Sequence, residues 1–174
     1  TVMSVRDLRQ WRNIIKEAWN GTFNVAKFLL VIHVTRTHFC VPAALHGPSM
    51  LPTFKLTGDN VLVERISTQF GLVRPGDIVV ARSPENPLKM VTKRVMGMEG
   101  DAVTFVVDPK NSDDCDTIIV PKGHVWIEGD NIYDSRDSRN FGPIPHGLLV
   151  GRVFWQIWPP KSFGSINRRP VSSD

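Results

Sequence analysis

A serine stands at position 49 in the run His46-Gly47-Pro48-Ser49-Met50-Leu51-Pro52. Proline fixes its own φ and keeps the preceding residue out of the helical region, so Pro48 and Pro52 make this segment stiff and extended. Ser49 is thereby presented rather than absorbed into a ladder. Taken alone it reads as a turn serine leading into a strand, because a serine becomes a nucleophile only beside a base. The candidate base is Lys93, in Val91-Thr92-Lys93-Arg94-Val95. In a strand Val91, Lys93 and Val95 share one face and Thr92, Arg94 and Met96 the other, so one of the two adjacent cations is expected among apolar neighbours. Lys93 is the one flanked by valines. Burial disfavours an ammonium ion and lowers a lysine pKa from about 10.4 by as much as roughly 3–5 units. That yields the neutral amine a general base requires. The alternative is that Lys93 snorkels to solvent while Arg94 pairs at the surface with Glu64 or Glu99.

A third segment, residues 128–145, is dense in turn formers and in hydroxyl, carboxylate and guanidinium groups. Asp130, Asn131, Ser135, Asp137, Ser138 and Arg139 can knit a loop through side-chain to backbone bonds, with Asp137 and Arg139 pairing to stiffen it. His46, His124 and His146 show no metal-ligand spacing, so no metal and no cofactor are expected. No histidine and carboxylate order suggests a Ser-His-Asp triad, although chain order alone does not exclude one.

The elements that must carry these residues read as mainly β. After Pro42 the runs at 59–66, 76–82, 90–97, 101–107, 124–130 and 148–158 are rich in Val and Ile and separated by Gly, Pro, Asp and Asn. Such short strands without intervening helical periodicity favour an antiparallel, barrel-like or sandwich arrangement. The front of the chain differs. Val2, Val5, Leu8, Trp11, Ile15, Ala18, Trp19, Phe23 and Ala26 recur at helical spacing opposite Arg6, Arg9, Lys16 and several asparagines. This is a basic amphipathic helix, suited to a membrane surface or to a core. From Ala18 to Val34 it becomes a marginal span of about 25 Å against a hydrocarbon core of about 30 Å, interrupted by Lys27 and His33.

With 174 residues, 41% of them hydrophobic, the chain has material for one core plus an appendage. The expected organisation is an anchor over 1–41, a β-rich catalytic domain over 42–160 and a loose tail over 161–174. A net charge of +4 suits an acidic partner, nucleic acid or anionic lipid without choosing among them. Cys40 and Cys115 form no CxxC pair, which argues against a disulfide framework and a zinc knuckle.

Taken together the segments resemble the type I signal peptidases, peptidase S26. The family's nucleophile motif matches Ser49-Met50-Leu51-Pro52-Thr53, its Gly-Asp pair matches Gly76-Asp77-Ile78-Val79, and its base strand matches Lys93 to Asp101. Its last motif matches Gly129-Asp130-Asn131, Ser135, Asp137-Ser138-Arg139 and Gly142-Pro143. Four motifs fall in order across residues 47–145. Within the family, the short chain, the run Gly142 to Leu149 and the terminal Ile157-Trp158-Pro159 most resemble subunit 1 of the mitochondrial inner membrane peptidase. Lys93 argues against the endoplasmic-reticulum branch, which carries histidine there.

The resemblance implies an antiparallel β-barrel-like signal peptidase fold behind an N-terminal helical membrane anchor. It implies an inner-membrane serine endopeptidase facing the intermembrane space, removing sorting signals from precursor proteins, in a hetero-oligomer with the second peptidase subunit and in contact with membrane lipid. Ser49 would be the nucleophile and Lys93 the base, with Ser135 aiming the lysine and Asp130, Asp137 and Arg139 as scaffold. The Ser49 N–H would supply one oxyanion donor. Many bacterial members place a hydroxyl residue two positions before the nucleophile, where this chain has Gly47, so the second donor differs. Two other classes remain open. A self-cleaving repressor uses a Ser/Lys pair on a related fold, but the front 40 residues offer no helix-turn-helix, and nucleic acid is not expected. A silent assembly subunit fits poorly with both Ser49 and Lys93 present.

Overall fold

The computed structural model describes residues 5–109 and 114–169. The chain divides into two compact units, Thr1–Phe39 and Cys40–Asp174.

The first unit is one helix, α1 (Val5–Val34), followed by a π-helical turn, Thr35–Phe39. The amphipathic and apolar stretches run on as one helix, with no proline to interrupt it and with Asn20-Gly21 accommodated inside it. Val2, placed at the start of that periodicity, lies outside the described residues. Trp11, Ile15, Trp19, Phe23, Phe28 and Leu29 are all exposed in this unit. Lys27 lays its ammonium over the Phe23 ring, 4.6 Å from the centroid, one helical turn back. No described helix is long and apolar enough to cross a membrane.

The second unit is an antiparallel β structure. Its strands are β1 (Cys40–His46), β2 (Thr57–Glu64), β3 (Ile78–Arg82), β4 (Met90–Gly97), β5 (Ala102–Val106), β6 (Cys115–Ile119), β7 (His124–Glu128), β8 (Ile144–Pro145), β9 (Leu149–Trp158) and β10 (Gly164–Ser165). Two single-turn helices, α2 (Ile66–Gln69) and α3 (Ser138–Phe141), join them. The main sheet runs β1-β2-β9-β3-β4-β7-β8, with β10 on β9, and β5 and β6 form a separate ribbon. The sheet curls as a half-barrel and leaves β1 as an open edge.

Pairing on the central strands is shared out along their length. β9 gives Leu149 to Val153 to β3 and Trp155 and Gln156 to β10. β4 pairs with β3 over Met90 to Arg94, and with β7 only from Arg94 to Gly97. The outer edge of β4 is thus uncovered by β7 from Met90 to Lys93.

Strand β3 explains where the core sits. Ile78 and Val80 join a cluster with Leu45, Met50, Phe54, Val61, Val63 and Val153. Val79 and Ala81 point the other way, into a cluster with Val95, Val125, Ile127, Ile144 and Leu149. A strand buried on both faces reads as a continuous apolar run, which is what Ile78 to Ala81 is.

Within the C-terminal segment, residues 164–169 make specific contacts with the sheet. Ile166 donates its N–H to Phe154 O, and Arg168 reaches Asp77, because β9 still has an unpaired edge beyond β3. Residues 170–174 lie outside the described residues.

Candidate active site

Pro48, Ser49 and Met50 form a single 3-10 turn behind Gly47, whose φ of +107° lets the chain leave β1 at an angle closed to other residues. Met50 is buried, so the turn is pinned from below while Ser49 faces a cleft of about 650 Å³. Lys93 lines the same cleft, with Ala43 and Leu45 of β1, Met90 and Val91 of β4, and Arg136.

Lys93 is opposite Val79 and Arg94 opposite Ile78. The two cations take opposite faces as expected, but both faces are covered, so both are buried, at 3% and 4% exposure. The alternative, in which Lys93 snorkels to solvent and Arg94 pairs at the surface, does not hold, because a second core layer covers the other face. Arg94 is fully engaged by its partners: Nε and Nη2 each donate to Asp130 at 2.7 Å, and Nη1 donates to Gly76 O at 2.8 Å. Among the described residues no carboxylate is in contact with Lys93. The lysine donates to Ser135 Oγ at 3.0 Å.

Burial lowers the Lys93 pKa to about 8, with Asp137 pulling it back up and Arg139 pushing it further down. Among the described residues no hydrogen bond joins Lys93 to the Ser49 hydroxyl, and no acceptor engages the Ser49 N–H.

The loop that carries Ser135 is built on Asp137, which is fully buried. Asp137 caps α3 in a capping box with Asn140 and accepts from the Gly129 N–H at 2.8 Å and from the Ser135 hydroxyl at 2.6 Å. Arg139 meets it with Nε at 2.9 Å and Nη2 at 2.6 Å. Burial alone would raise the Asp137 pKa, but Arg139, the Gly129 N–H and the Ser135 hydroxyl together hold it below the usual carboxylate range. Asp130 behaves alike: burial opposes its ionisation, and Arg94 and Thr53 outweigh it.

All six expected site residues lie in this neighbourhood, and five of them, all but Ser49, fall in two hydrogen-bonded networks. One runs Lys93, Ser135, Asp137, Arg139. The other runs Arg94, Asp130, Thr53, with Thr53 donating its hydroxyl to Asp130. Sequence reasoning missed what joins them to Ser49. Asn131 donates its N–H to Ser49 O at 3.1 Å and its side-chain amide to Pro48 O at 3.2 Å, clamping the serine turn. A Cβ on Gly129 would stand 2.4 Å from Ser49 O and 2.2 Å from Ser135 Oγ, so only glycine lets the two segments meet. The signal for both was adjacency to Asp130 in Gly129-Asp130-Asn131. Glu128, half-buried beside them, has its pKa raised by burial against a bond from Trp126 Nε1 at 2.7 Å.

A family model described as signal peptidase, peptidase S26, matches residues 19–110 and 106–158. The chain belongs to the signal peptidase family, peptidase S26. Membership makes it a serine peptidase, and the curled antiparallel sheet is the signal peptidase fold. Among S26 relatives, the mitochondrial ATP-independent inner membrane protease subunit 1a of Arabidopsis thaliana is 51% identical over 159 residues, 91% of this chain and 95% of the relative. Mitochondrial inner membrane protease subunit 1 of Homo sapiens is 45% identical over 71% of this chain and 73% of its own length. Subunit 2 of the Saccharomyces cerevisiae protease is 34% identical over 79% and 77%. A solved signal peptidase I from Enterococcus faecalis is 25% identical, with a TM-score of 0.40, over 46% of this chain and 95% of that chain.

Proposed function

We propose that the chain is a membrane-bound endopeptidase in which Ser49 is the nucleophile and Lys93 the general base. The observation that carries this reading is Lys93, a lysine buried without a carboxylate partner among the described residues, held by Ser135 in the same cleft as Ser49. A neutral amine has two hydrogens and one lone pair. Ser135 gives its own hydrogen to Asp137 and so can only accept from Lys93, which leaves the lone pair free to turn toward Ser49. The amine then takes the Ser49 proton as Oγ attacks the scissile carbonyl, passes it to the leaving amine, and activates water to release the acyl group. The unengaged Ser49 N–H supports its role toward the oxyanion.

The substrate reading follows from the cleft walls. The open edge of β1 and the uncovered edge of β4 both offer unpaired backbone groups, suited to an extended chain laid between them. Ala43, Leu45 and Met50 leave room for small apolar side chains next to Ser49. The reading extends to substrates that are precursors with sorting signals for the intermembrane space, in keeping with relatives named as two subunits of a mitochondrial inner membrane protease. In the same reading the chain is tethered by its N-terminal helix, faces that space and works with a second subunit, the last supported by relatives named as subunits 1 and 2.

Reconstituted full chain is tested against such a precursor with Ser49→Ala and Lys93→Ala variants. Both variants are expected to be silent. Cleavage persisting in either would falsify the pairing.

A further inference from the structure

The segment after β9 lies past Trp158, the last residue matched by the family model, yet it is built into the back of the site. β10 takes the β9 edge that β3 leaves open, and Ile166 packs on the core cluster that holds Met50 and Phe54 beneath the serine turn. Arg168 then clasps Asp77, with Nε at 2.9 Å from Oδ1 and Nη2 at 3.1 Å from Oδ2. Asp77 is itself buried and also receives the Arg74 N–H at 2.9 Å, while Arg152 stands 3.8 Å away and is engaged mainly by Glu64. The fit is close. A Cβ on Gly76 would lie 2.1 Å from Arg169 O and 2.7 Å from Arg168 Cγ.

From this clasp the path to Lys93 is one residue long. Gly76 donates its N–H to Val95 O at 2.7 Å, and Val95 returns its N–H to Asp77 O at 2.9 Å. Between these two bonds and Lys93 sits Arg94, whose Nη1 ends on Gly76 O and whose other nitrogens hold Asp130. The Gly76-Asp77 turn therefore has one face on the arginine beside the base and the other under the C-terminal segment.

We propose that residues 164–169 are a strap, and that Arg168, acting through Asp77 and Gly76, is a positioning residue that sets the Arg94–Asp130 pair and with it the Lys93 base. This rests on the reading of Ser49 and Lys93 as nucleophile and base. The clasp is energetically one-sided. Without Arg168 the buried Asp77 carboxylate keeps a single close donor among the described residues, the Arg74 N–H, so the turn shifts toward other partners and carries Gly76 O away from Arg94. Arg168 itself is partly exposed, so removing it opens no core cavity and the fold survives.

The test uses full chain in proteoliposomes, cleaving an intermembrane-space precursor, with Arg168→Ala, Arg168→Lys and a chain ending at Ser165. Arg168→Ala is expected to lower kcat roughly tenfold with KM unchanged, as a displaced catalytic group does. The shortened chain loses at least as much, and Arg168→Lys recovers most of the activity. The acid limb of the pH profile moves upward in Arg168→Ala, because an Asp130 less neutralised by Arg94 favours the Lys93 ammonium. A folded Arg168→Ala with unchanged kcat and an unmoved limb overturns the strap. Ser49→Ala, run alongside, keeps the two readings apart: activity retained there sinks the nucleophile, whereas a silent Ser49→Ala beside a fully active Arg168→Ala sinks the strap alone.

Discussion

The Ser135 hydroxyl donates to Asp137 Oδ2 at 2.6 Å, and this single bond decides how Ser135 can meet Lys93. With its hydrogen committed, it offers Lys93 only a lone pair. Replacing Ser135 with alanine leaves the lysine without an aim, and kcat is expected to fall roughly ten- to a hundredfold with KM little changed. Steady-state kinetics on the precursor check this, and a rise in KM at constant kcat would contradict it.

The lowered Lys93 pKa sets the pH response. The amine must be neutral to take a proton, so activity rises with pH through about 8, the Lys93 value. A single ionisation near that pH in the kcat/KM profile is the expected result; a limb near 6 would point to a histidine.

Lysine burial also taxes stability. Below pH 8 the fold holds a charged Lys93 it disfavours, and between 8 and 10.5 the unfolded chain binds the extra proton, so stability climbs with pH across that window. Lys93→Met is expected to abolish cleavage and stabilise the fold at pH 7 by on the order of 1–3 kcal/mol, less what Ser135 loses as a partner. The gain shrinks toward pH 10.5. Urea titrations at pH 7 and pH 10 measure it.

Asp137→Asn keeps the shape of the loop's central acceptor but removes its charge. Arg139, buried against it, is then uncompensated, and the expected cost is about 3–5 kcal/mol. A midpoint shift well under 1 kcal/mol would mean that Arg139 finds solvent instead.

Gly129→Ala tests the contact between segments. The new methyl collides with Ser49 O and Ser135 together, so activity is expected to drop at least a hundredfold although Ser49, Lys93 and Ser135 are all present. Kinetics alongside a thermal melt separate this from unfolding.

Much of the site was legible because its chemistry depends on neighbours in the chain. Proline stiffening marked Ser49, and strand alternation put Lys93 and Arg94 on opposite faces. Alternation cannot say whether the second face is also covered: on the face that Arg94 shares with Ile78, Leu45, Met50 and Phe54 come from elsewhere in the sequence. The strands rich in Val and Ile were found, but β1, β6 and the two-residue β8 and β10 were not. Their pairing is decided by an open edge or a ribbon partner and not by composition. The Asn131 clamp and the Arg168 clasp join residues 83 and 91 positions apart, beyond the reach of any local pattern.

Pro42 sits in the middle of β1, opposite Leu62, on the strand that bounds the cleft. An edge strand tolerates proline where the missing donor faces outward, and there it breaks the row of groups that another chain could zip onto. The open edge is thereby cut to the few residues between Ala43 and His46. Chains of the same kind cannot propagate along so short a stretch, which lets a protein carry an exposed strand edge beside its nucleophile without polymerising. A guest held over so few ladder bonds gains little affinity from its backbone. Turnover benefits, since product leaves easily, and discrimination falls to the side-chain pockets.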